Sequence, residues 1–262
     1  MLKHRLIPVL LLQNGKLVRS QSFTTHQVIG NPIHEVARFN EWSVDELIYL
    51  DISRDDSYDQ GRDDHAIGGL NDALAILDAV AETCFMPLTF GGRIRSIDDM
   101  RARFEHGADK ITINTAAFRD RALITDAAKR FGSQAVVVSI DFRRREDGTH
   151  EVFTEGGHTP TGLSLVEWAR EAENRGAGEL LVQSIDRDGV AKGYDVDAIS
   201  AAAQATKIPV IALGGVGRYE HYVDGIRAGA SAVAAANIWH FRELADRGGK
   251  RAMANAGIEV RK

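Results

Sequence analysis

The sequence predicts an α/β fold, a (βα)8 TIM barrel with a two-fold internal half-barrel repeat, in which residues 1–262 form a single domain. The length fits, because one-domain α/β barrels have about 250 residues. Short apolar runs alternate with helical patterns along the chain, as in parallel-sheet proteins. In addition, P-L-T-F-G-G-R-I-R at Pro87–Arg95 returns as P-V-I-A-L-G-G-V-G-R at Pro209–Arg218, close to half a chain later.

Three further pairs of segments repeat at a similar separation. They are Leu6–Leu12 with Ala135–Asp141, Asp45–Ile52 with Gly178–Ile185, and Ala108–Phe118 with Ala230–Phe241. Four segments that each occur twice supply eight strands, which is the number that closes a (βα)8 barrel.

The strands are predicted from continuous apolar runs, which are typical of strands buried on both faces of a parallel sheet. They cover Leu6–Leu12, Glu46–Ile52, Phe85–Phe90, Lys110–Ile113, Ala135–Asp141, Glu179–Ile185, Pro209–Leu213 and Ala232–Ala236.

Helices are predicted between the strands. In the first, Pro32 suits an initial helical turn, and Ile33, Val36 and Phe39 form one apolar face that ends near Trp42. The others cover Leu74–Ala81, Ile97–His106, Arg121–Phe131, Leu165–Arg175, Val196–Thr206, Glu220–Ala228 and Phe241–Ala256.

Three polar stretches interrupt this pattern. Lys16–Asn31 is predicted to be a long loop, and Asp147-Gly148 marks the turn of a hairpin. Ser53–Asn71 is rich in Asp and Gly but lacks the alternating Asp ladder of a calcium loop, so a solvated insertion is favoured over a metal site.

Composition excludes several classes of function. The net charge of -5 argues against a nucleic-acid partner, which would require a basic face. Cys84 is the single cysteine and fits a packed thiol in a reducing compartment. The first apolar run is too short for a signal peptide, and no segment is long enough to span a membrane. We therefore expect a cytoplasmic protein with no membrane partner, no metal and no cofactor.

Glycine pairs at strand ends are candidate phosphate sites, because backbone N–H groups and a following helix N-terminus can hold an anion there. A tight turn is the alternative for either pair alone. Two opposed sites indicate a substrate with a phosphate at each end. The candidate residues are Gly91, Gly92, Arg93, Asn114 and Thr115 at one site, and Asp188, Gly189, Gly214, Gly215, Ala236 and Asn237 at the other.

Asp141 is the candidate catalytic residue. It follows an apolar strand at the barrel mouth, where desolvation would raise its pKa and make it a better general base. The alternative is a salt bridge with Arg143 or Arg144. The repeat-related position on the first strand is Leu11, so the chain offers one carboxylate and not a facing pair.

Long segments of the chain resemble HisF, the cyclase subunit of imidazole glycerol phosphate synthase. They are D-E-L-I-Y-L-D-I at 45–52, G-A-D-K-I-T-I-N-T-A-A at 107–117, F-G-S-Q-A-V-V-V-S-I-D at 131–141, G-A-G-E-L-L at 176–181, S-I-D-R-D-G at 184–189 and W-H-F-R-E at 239–243. The resemblance implies a barrel that takes ammonia from a glutaminase (HisH-like) partner, passes it along the axis, and uses it on a substrate with two phosphates.

The resemblance also implies roles for individual residues. Arg5, Glu46, Lys110 and Glu179 match the family's ammonia gate at the barrel bottom, and Asp109 matches a position at the partner interface. A buried charge cluster that only specifies the fold is the alternative for the gate.

Three positions depart from the family pattern. The two catalytic aspartates of the family would lie at Leu11 and Asp141, and leucine cannot transfer a proton. Arg93 stands where the family has the third glycine of a G-G-G motif, and Asn237 replaces a serine. The ammonia path is thus complete in type, whereas the cyclisation chemistry is altered.

The opening R-L-I-P-V-L-L-L-Q-N-G at Arg5–Gly15 is similar to a branch of the family associated with surface polysaccharide biosynthesis. That branch implies ammonia supply to a separate amidotransferase, which converts an acetamido group on a nucleotide-linked sugar to acetamidino. This is our leading hypothesis. The alternatives are the histidine-pathway cyclase with an altered acid, which the C-terminal W-H-F-R-E resembles, and a non-catalytic phosphate-binding scaffold for the glutaminase.

Overall fold

The computed structural model describes residues 3–42, 44–54, 58 and 70–261, and it confirms the (βα)8 barrel. Strands and helices are numbered in chain order. The eight parallel barrel strands are β1 (Arg5–Gln13), β4 (Leu47–Asp51), β5 (Leu88–Gly91), β6 (Lys110–Ile113), β7 (Val136–Arg144), β10 (Glu179–Ser184), β11 (Val210–Leu213) and β12 (Ala232–Ala235). Parallel pairing of β12 with β1, in which Ala232 lies opposite Arg5, closes the cylinder.

The barrel interior is an apolar core distinct from the two clusters under the helices. Ile7, Ile48, Val137 and Leu181 lie in it and are at most 1% exposed. Side chains of alternate strand positions point inward, while their neighbours pack against the helices. The continuous apolar runs of the sequence have this cause, because both faces of every barrel strand are covered.

The helices fall between the strands as predicted. They are α1 (Pro32–Trp42), α2 (Ala73–Ala81), α3 (Ile97–Glu105), α4 (Thr115–Arg119), α5 (Ala122–Phe131), α6 (Leu165–Asn174), α7 (Val196–Ala205), α8 (Glu220–Arg227), α9 (Ile238–Phe241) and α10 (Ala245–Asn255). Side-chain caps fix several starts: Ser96 and Ser164 form capping boxes, and Asp72 accepts two backbone N–H groups of α2.

The prediction of a long loop at Lys16–Asn31 is wrong. Most of it is an antiparallel hairpin of β2 (Lys16–Gln21) and β3 (Thr25–Gly30), and β2 also pairs with β1. The polar composition hid two buried apolar side chains, Leu17, which packs in a cluster under the helices, and Val18, which packs in the barrel interior. The predicted hairpin at Asp147-Gly148 is confirmed, since β8 (His150–Thr154) pairs with β7 and continues to β9 (Thr159–Ser164).

The two hairpins occupy equivalent places in the two halves of the barrel. One extends β1, the first strand, and the other extends β7, the fifth barrel strand. Leu11 lies opposite Val18 in the first, and Asp141 lies opposite Phe153 in the second. Leu11 and Asp141 therefore stand at corresponding points of the two half-barrels.

One further prediction differs from the structure. The closing helix Phe241–Ala256 is two helices, α9 and α10, because the backbone at Leu244 is left-handed with φ 51 and interrupts helical hydrogen bonding. The short helix α4 was not predicted. Most of the predicted insertion Ser53–Asn71 lies outside the described residues.

The two ends of the described chain lie side by side. His4 and Val260 form a parallel bridge, and the His4 N–H donates to the Glu259 carbonyl at 2.9 Å. Since His4 precedes β1, this contact lies at the amino end of the barrel strands. Within the described ranges, no helix is long and apolar enough to cross a bilayer.

Candidate functional site

A closed ring of four alternating charges lies at the amino end of the barrel. Arg5 donates to Glu46 at 2.7 Å (Nη1–Oε1) and to Glu179, and Lys110 Nζ donates to Glu179 Oε2 at 2.9 Å. A longer contact of 3.5 Å from Lys110 Nζ to Glu46 Oε2 completes the ring. The sequence-predicted gate residues therefore come together, although they are spread over four strands or strand starts.

Burial makes this ring costly to disrupt. Arg5, Glu46 and Glu179 are each less than a tenth exposed. Each buried ion is paired with two ions of opposite sign, which offsets its loss of hydration. The arrangement leaves no net charge on the axis of the barrel.

Asp109, the predicted interface residue, is exposed beside this ring. One of its carboxylate oxygens accepts the Leu88 N–H at 2.8 Å and so fixes the start of β5. The adjoining α2–β5 loop carries Phe85, a large hydrophobic residue that is 88% exposed. The Phe85 N–H donates to Asn40 Oδ1 at 3.1 Å, and this bond anchors the backbone of the loop that bears the exposed phenyl group.

Asp141 lies at the opposite end of the barrel, buried at 7% exposure. Burial raises the pKa of its carboxyl group to about 7, and the nearby Asp188 carboxylate acts in the same direction. The hydrogen bond from Asn114 Nδ2 to Asp141 Oδ2, 2.8 Å long, opposes this rise. Such a group can both accept and donate a proton near neutral pH.

The alternative of a salt bridge at Asp141 is not realised. Arg143 pairs instead with Asp186 at 2.9 Å, and Arg144 pairs with Asp197 at 3.0 Å. Both arginines pair with exposed carboxylates at the rim. Neither forms a salt bridge that would lower the pKa of Asp141, so burial remains its main determinant.

A cavity of ≈ 260 Å³ opens beside Leu11 at the carboxyl ends of the strands. Val9, Leu11 and Leu213 form its apolar wall, and none of these side chains can transfer a proton. The polar part of the cavity is the backbone of two loops, described next.

The second glycine pair forms a backbone cradle in this cavity. Gly214 to Gly217 and Ala236 to Ile238 line it together, after β11 and β12. Gly215 has φ 101, and a Cβ there would lie 2.2 Å from the Gly193 carbonyl oxygen. Only glycine permits this close approach, and a turn built without side chains can present backbone N–H groups to an anion. Gly189 and Asp188 also line the cavity.

The β2–β3 hairpin is fastened over this cradle. Asp188 Oδ2 accepts from Ser20 Oγ at 2.6 Å and from the Phe23 N–H at 3.3 Å. Asn237 Nδ2 donates to the Ser20 carbonyl at 2.9 Å. The side chains of Asp188 and Asn237 thus act on the hairpin, and the anion-binding groups at this site are mainly those of the backbone.

The first glycine pair differs from the second. Gly92 lies against Asp51, where a Cβ would be 2.0 Å from the Asp51 carbonyl oxygen. Arg93 has φ 57, a left-handed conformation that glycine adopts freely and other residues adopt at a cost. Arg93 lines a different cavity, outside the barrel. Asn114 is bonded to Asp141, and Thr115 Oγ1 accepts the Glu155 N–H at 2.9 Å.

Sequence reasoning missed three residues of the mouth. Arg19, Gln183 and Arg242 line the cavity, and Arg19 lies over the Phe241 ring at 5.7 Å from the ring centroid. Arg19 was hidden in the segment predicted as a loop, because Lys16–Gln21 does not alternate between apolar and polar residues. Among the described residues, no group of three or more His, Cys, Asp or Glu side chains could hold a metal ion.

Comparison with known proteins gives matches along the whole chain. A profile of the family described as histidine biosynthesis protein matches residues 5–245. Imidazole glycerol phosphate synthase subunit HisF of Gluconacetobacter diazotrophicus is 42% identical over 261 residues, covering 100% of this chain and 97% of the relative. The protein of the same name from Caulobacter vibrioides is 43% identical over 263 residues, with the same coverage.

Proposed function

Because this chain belongs to the HisF family of imidazole glycerol phosphate synthase subunits, we propose that it is an ammonia-using cyclase subunit with a HisH-type glutaminase partner. Both relatives bear the name of that synthase, and their matches to this chain cover nearly their full length. The comparisons thus favour the histidine-pathway interpretation over modification of a nucleotide-linked sugar, which the sequence alone had favoured.

The observation that carries the proposal is that two different functional groups lie at opposite ends of the barrel axis. A neutral ring of charges lies at one end of an apolar axis, and a buried carboxyl group with a pKa of about 7 lies at the other. Ammonia is small and uncharged, so it can enter an apolar core that excludes ions. The ring would admit it from a partner docked at the amino end.

At the mouth, Asp141 exchanges protons with the substrate. Closing an imidazole ring around an added nitrogen requires proton removal and donation, and a group with a pKa near 7 does both. Asn114 holds the carboxylate in one orientation through its 2.8 Å hydrogen bond. Leu11 leaves Asp141 without a second carboxylate at the equivalent point of the other half-barrel.

A phosphorylated substrate fits the cradle after β11 and β12. Backbone N–H groups of Gly214 to Val216 would hold one phosphate, and Arg19 and Arg242 at the rim supply positive charge. The Gly91–Gly92 turn with Asn114 and Thr115 is the proposed position of the second phosphate.

The amino end supports docking of the glutaminase. Phe85 projects from an anchored loop next to the ring, and Asp109 is exposed beside it. An exposed aromatic side chain on a loop whose backbone is anchored can serve as an anchor in a protein interface.

The test is an assay of the purified protein with ammonium and the bisphosphate intermediate of histidine synthesis. Cyclised product is expected, and its formation should fall strongly in Asp141→Asn. No turnover by a folded protein that still activates a glutaminase would overturn the proposal and leave the scaffold role.

One observation favours a second candidate. The wall of Val9, Leu11 and Leu213 lacks the acid that a two-carboxylate cyclase uses, which suits a barrel that only delivers ammonia. In that case a separate amidotransferase would convert the acetamido group of a nucleotide-linked sugar. Adding this enzyme, its substrate, the glutaminase subunit and glutamine would then give acetamidino product without any cyclase activity.

A further inference from the structure

A second cavity lies outside the barrel, between the first turns of α2 and α3. It measures ≈ 340 Å³ and shares no lining residue with the cavity at the glycine cradle. Its lining consists of Asp72, Ala73, Leu74, Arg93, Arg95, Asp99 and Arg103. Three arginines therefore converge on a space that the proposed cyclase chemistry does not use.

The two carboxylates of this cavity are already engaged. Asp72 Oδ1 accepts the N–H groups of Leu74 and Ala75 at 2.9 Å each, as the cap of α2. Asp99 Oδ2 accepts the N–H groups of Arg95 and Ser96 at 2.8 and 3.0 Å. One oxygen of each carboxylate is thus occupied by backbone N–H groups at a helix N-terminus.

Both helices add positive potential to the same space. The helices α2 and α3 have nine residues each, and the residues at their starts line the cavity. A helix N-terminus carries about half a positive elementary charge. Among the described residues that line the cavity, three guanidinium groups thus outnumber two carboxylates.

Arg103 gives a second indication that an anion belongs here. Its residue is 8% exposed, and within the described part of the chain its Nε has no hydrogen-bond partner. Its Nη1 makes only a long contact of 3.4 Å to the Asp99 carbonyl. A buried donor without an acceptor is unfavourable, and an anion in the cavity would supply the acceptor.

Arg93 adds a backbone argument. At φ 57 an L-residue is strained relative to an ordinary conformation, and glycine would avoid this strain. The chain nevertheless has arginine there, and Arg93 lines the cavity.

We propose that this cavity, lined by Arg93, Arg95 and Arg103, binds a phosphate group of a small molecule at a site separate from the barrel mouth. Three guanidinium groups offer more donors than the two oxygens of a carboxylate can accept, whereas phosphate has additional oxygens. The inference concerns residues outside the mouth and stands independently of the proposed cyclase function.

The experiment follows the guanidinium groups directly. The protein is labelled with ¹⁵N-arginine and titrated with inorganic phosphate while the arginine Nε–H resonances are recorded, assigned with Arg93→Gly, Arg95→Gln and Arg103→Lys. Saturable shifts of Arg95 and Arg103 are expected. Removal of one charge-assisted hydrogen bond in Arg93→Gly or Arg95→Gln should weaken this binding about 10-fold or more.

Matched controls separate binding from folding and from ionic strength. Arg101→Gln removes a guanidinium of the same helix that pairs with Asp98 at 2.9 Å outside the cavity, and it should bind phosphate normally. Arg93→Gly relieves the left-handed strain, so its melting temperature should hold or rise while binding falls. Wild-type affinity in Arg93→Gly and Arg95→Gln, or equal shifts with acetate or chloride, would overturn the proposal.

Discussion

Asp141 combines burial with a single fixed hydrogen bond, and this sets both its chemistry and its effect on stability. Because burial raises its pKa from 3.8 to about 7, the folded protein holds this proton more tightly than the unfolded chain. The contribution of Asp141 to stability is therefore fully present below about pH 4 and is lost as pH rises from about 4 to about 7, by up to about 4 kcal/mol.

Asp141→Asn should remove this loss. The amide keeps an acceptor for Asn114 and carries no charge, so we expect greater stability than wild type at pH 8 and no difference from this group below about pH 4. Urea denaturation at the two pH values measures it. Ammonium-dependent turnover should fall about 100-fold or more. Association with the glutaminase should be unchanged, and its loss would contradict the separation of the two ends.

Leu11→Asp tests whether the missing acid limits catalysis. Leu11 lines the same mouth, so a carboxylate there would restore an acid at the equivalent point of the other half-barrel, and cyclisation with ammonium should rise about 10-fold or more. Leu11→Asn introduces a side chain of nearly the same shape as aspartate that cannot transfer a proton, so it is the matched control. Equal rates in the two variants would show that acid–base chemistry is not what limits this site.

At the scale of elements, the β2–β3 hairpin is held over the cradle by few contacts. Asp188→Ala removes the acceptor of Ser20 Oγ and of the Phe23 N–H, and we expect faster amide hydrogen exchange along β2 and β3. Phosphate-substrate affinity should fall with it, because Arg19 is carried by β2. Ser20→Ala removes only one of these bonds and should have a smaller effect. Unchanged exchange in Asp188→Ala would mean that pairing of β2 with β1 alone holds the hairpin.

The barrel elements could be predicted from sequence because each barrel strand is apolar on both faces. The eight strands and most helices were found from runs such as Val136–Ile140, which need no partner information. The hairpin at Lys16–Gly30 could not, since its stability comes from contacts with Asp188 and Asn237, more than 160 residues away. The break at Leu244 likewise rests on one backbone conformation that leucine rarely adopts.

The candidate site could be predicted only in part, because some of its contacts join residues that are far apart in the sequence. Strand-end positions located Asp141 and both glycine pairs, because the fold puts all carboxyl ends at one face. The sequence could not tell that Asn114 bonds Asp141, or that Arg93 lines a cavity outside the barrel. Those facts depend on side-chain directions across different strands.

At the scale of the whole molecule, the charged ring should couple glutamine hydrolysis by the proposed partner to cyclisation at the barrel mouth. Glu179→Gln leaves Arg5 and Lys110 short of one buried carboxylate, which should cost about 3–5 kcal/mol of stability. Glutamine-dependent turnover should fall more than ammonium-dependent turnover. Glu171→Gln, which breaks a pair with Arg175 on the outer surface, is the control. Equal loss of both turnovers in Glu179→Gln would argue against a gate.

Phe85→Ala should weaken association with the glutaminase about 10-fold or more, since exposed aromatic anchors carry much of the energy of an interface. Isothermal titration with the purified partner measures it. Val196→Ala, which changes an exposed apolar residue at the start of α7, at the carboxyl end of the barrel, should bind normally. Unchanged affinity in Phe85→Ala would mean that the partner docks elsewhere.

The bridge between His4 and Val260 has a consequence for protein engineering. Both ends of the described chain lie at the amino end of the barrel strands, so a glutaminase joined to either one by a short flexible linker would start next to its proposed docking face. The high effective concentration would favour the joined arrangement without any new contact. Conversely, a bulky purification tag at either end would compete for that face, whereas new termini cut at the Asp147-Gly148 turn would leave it open.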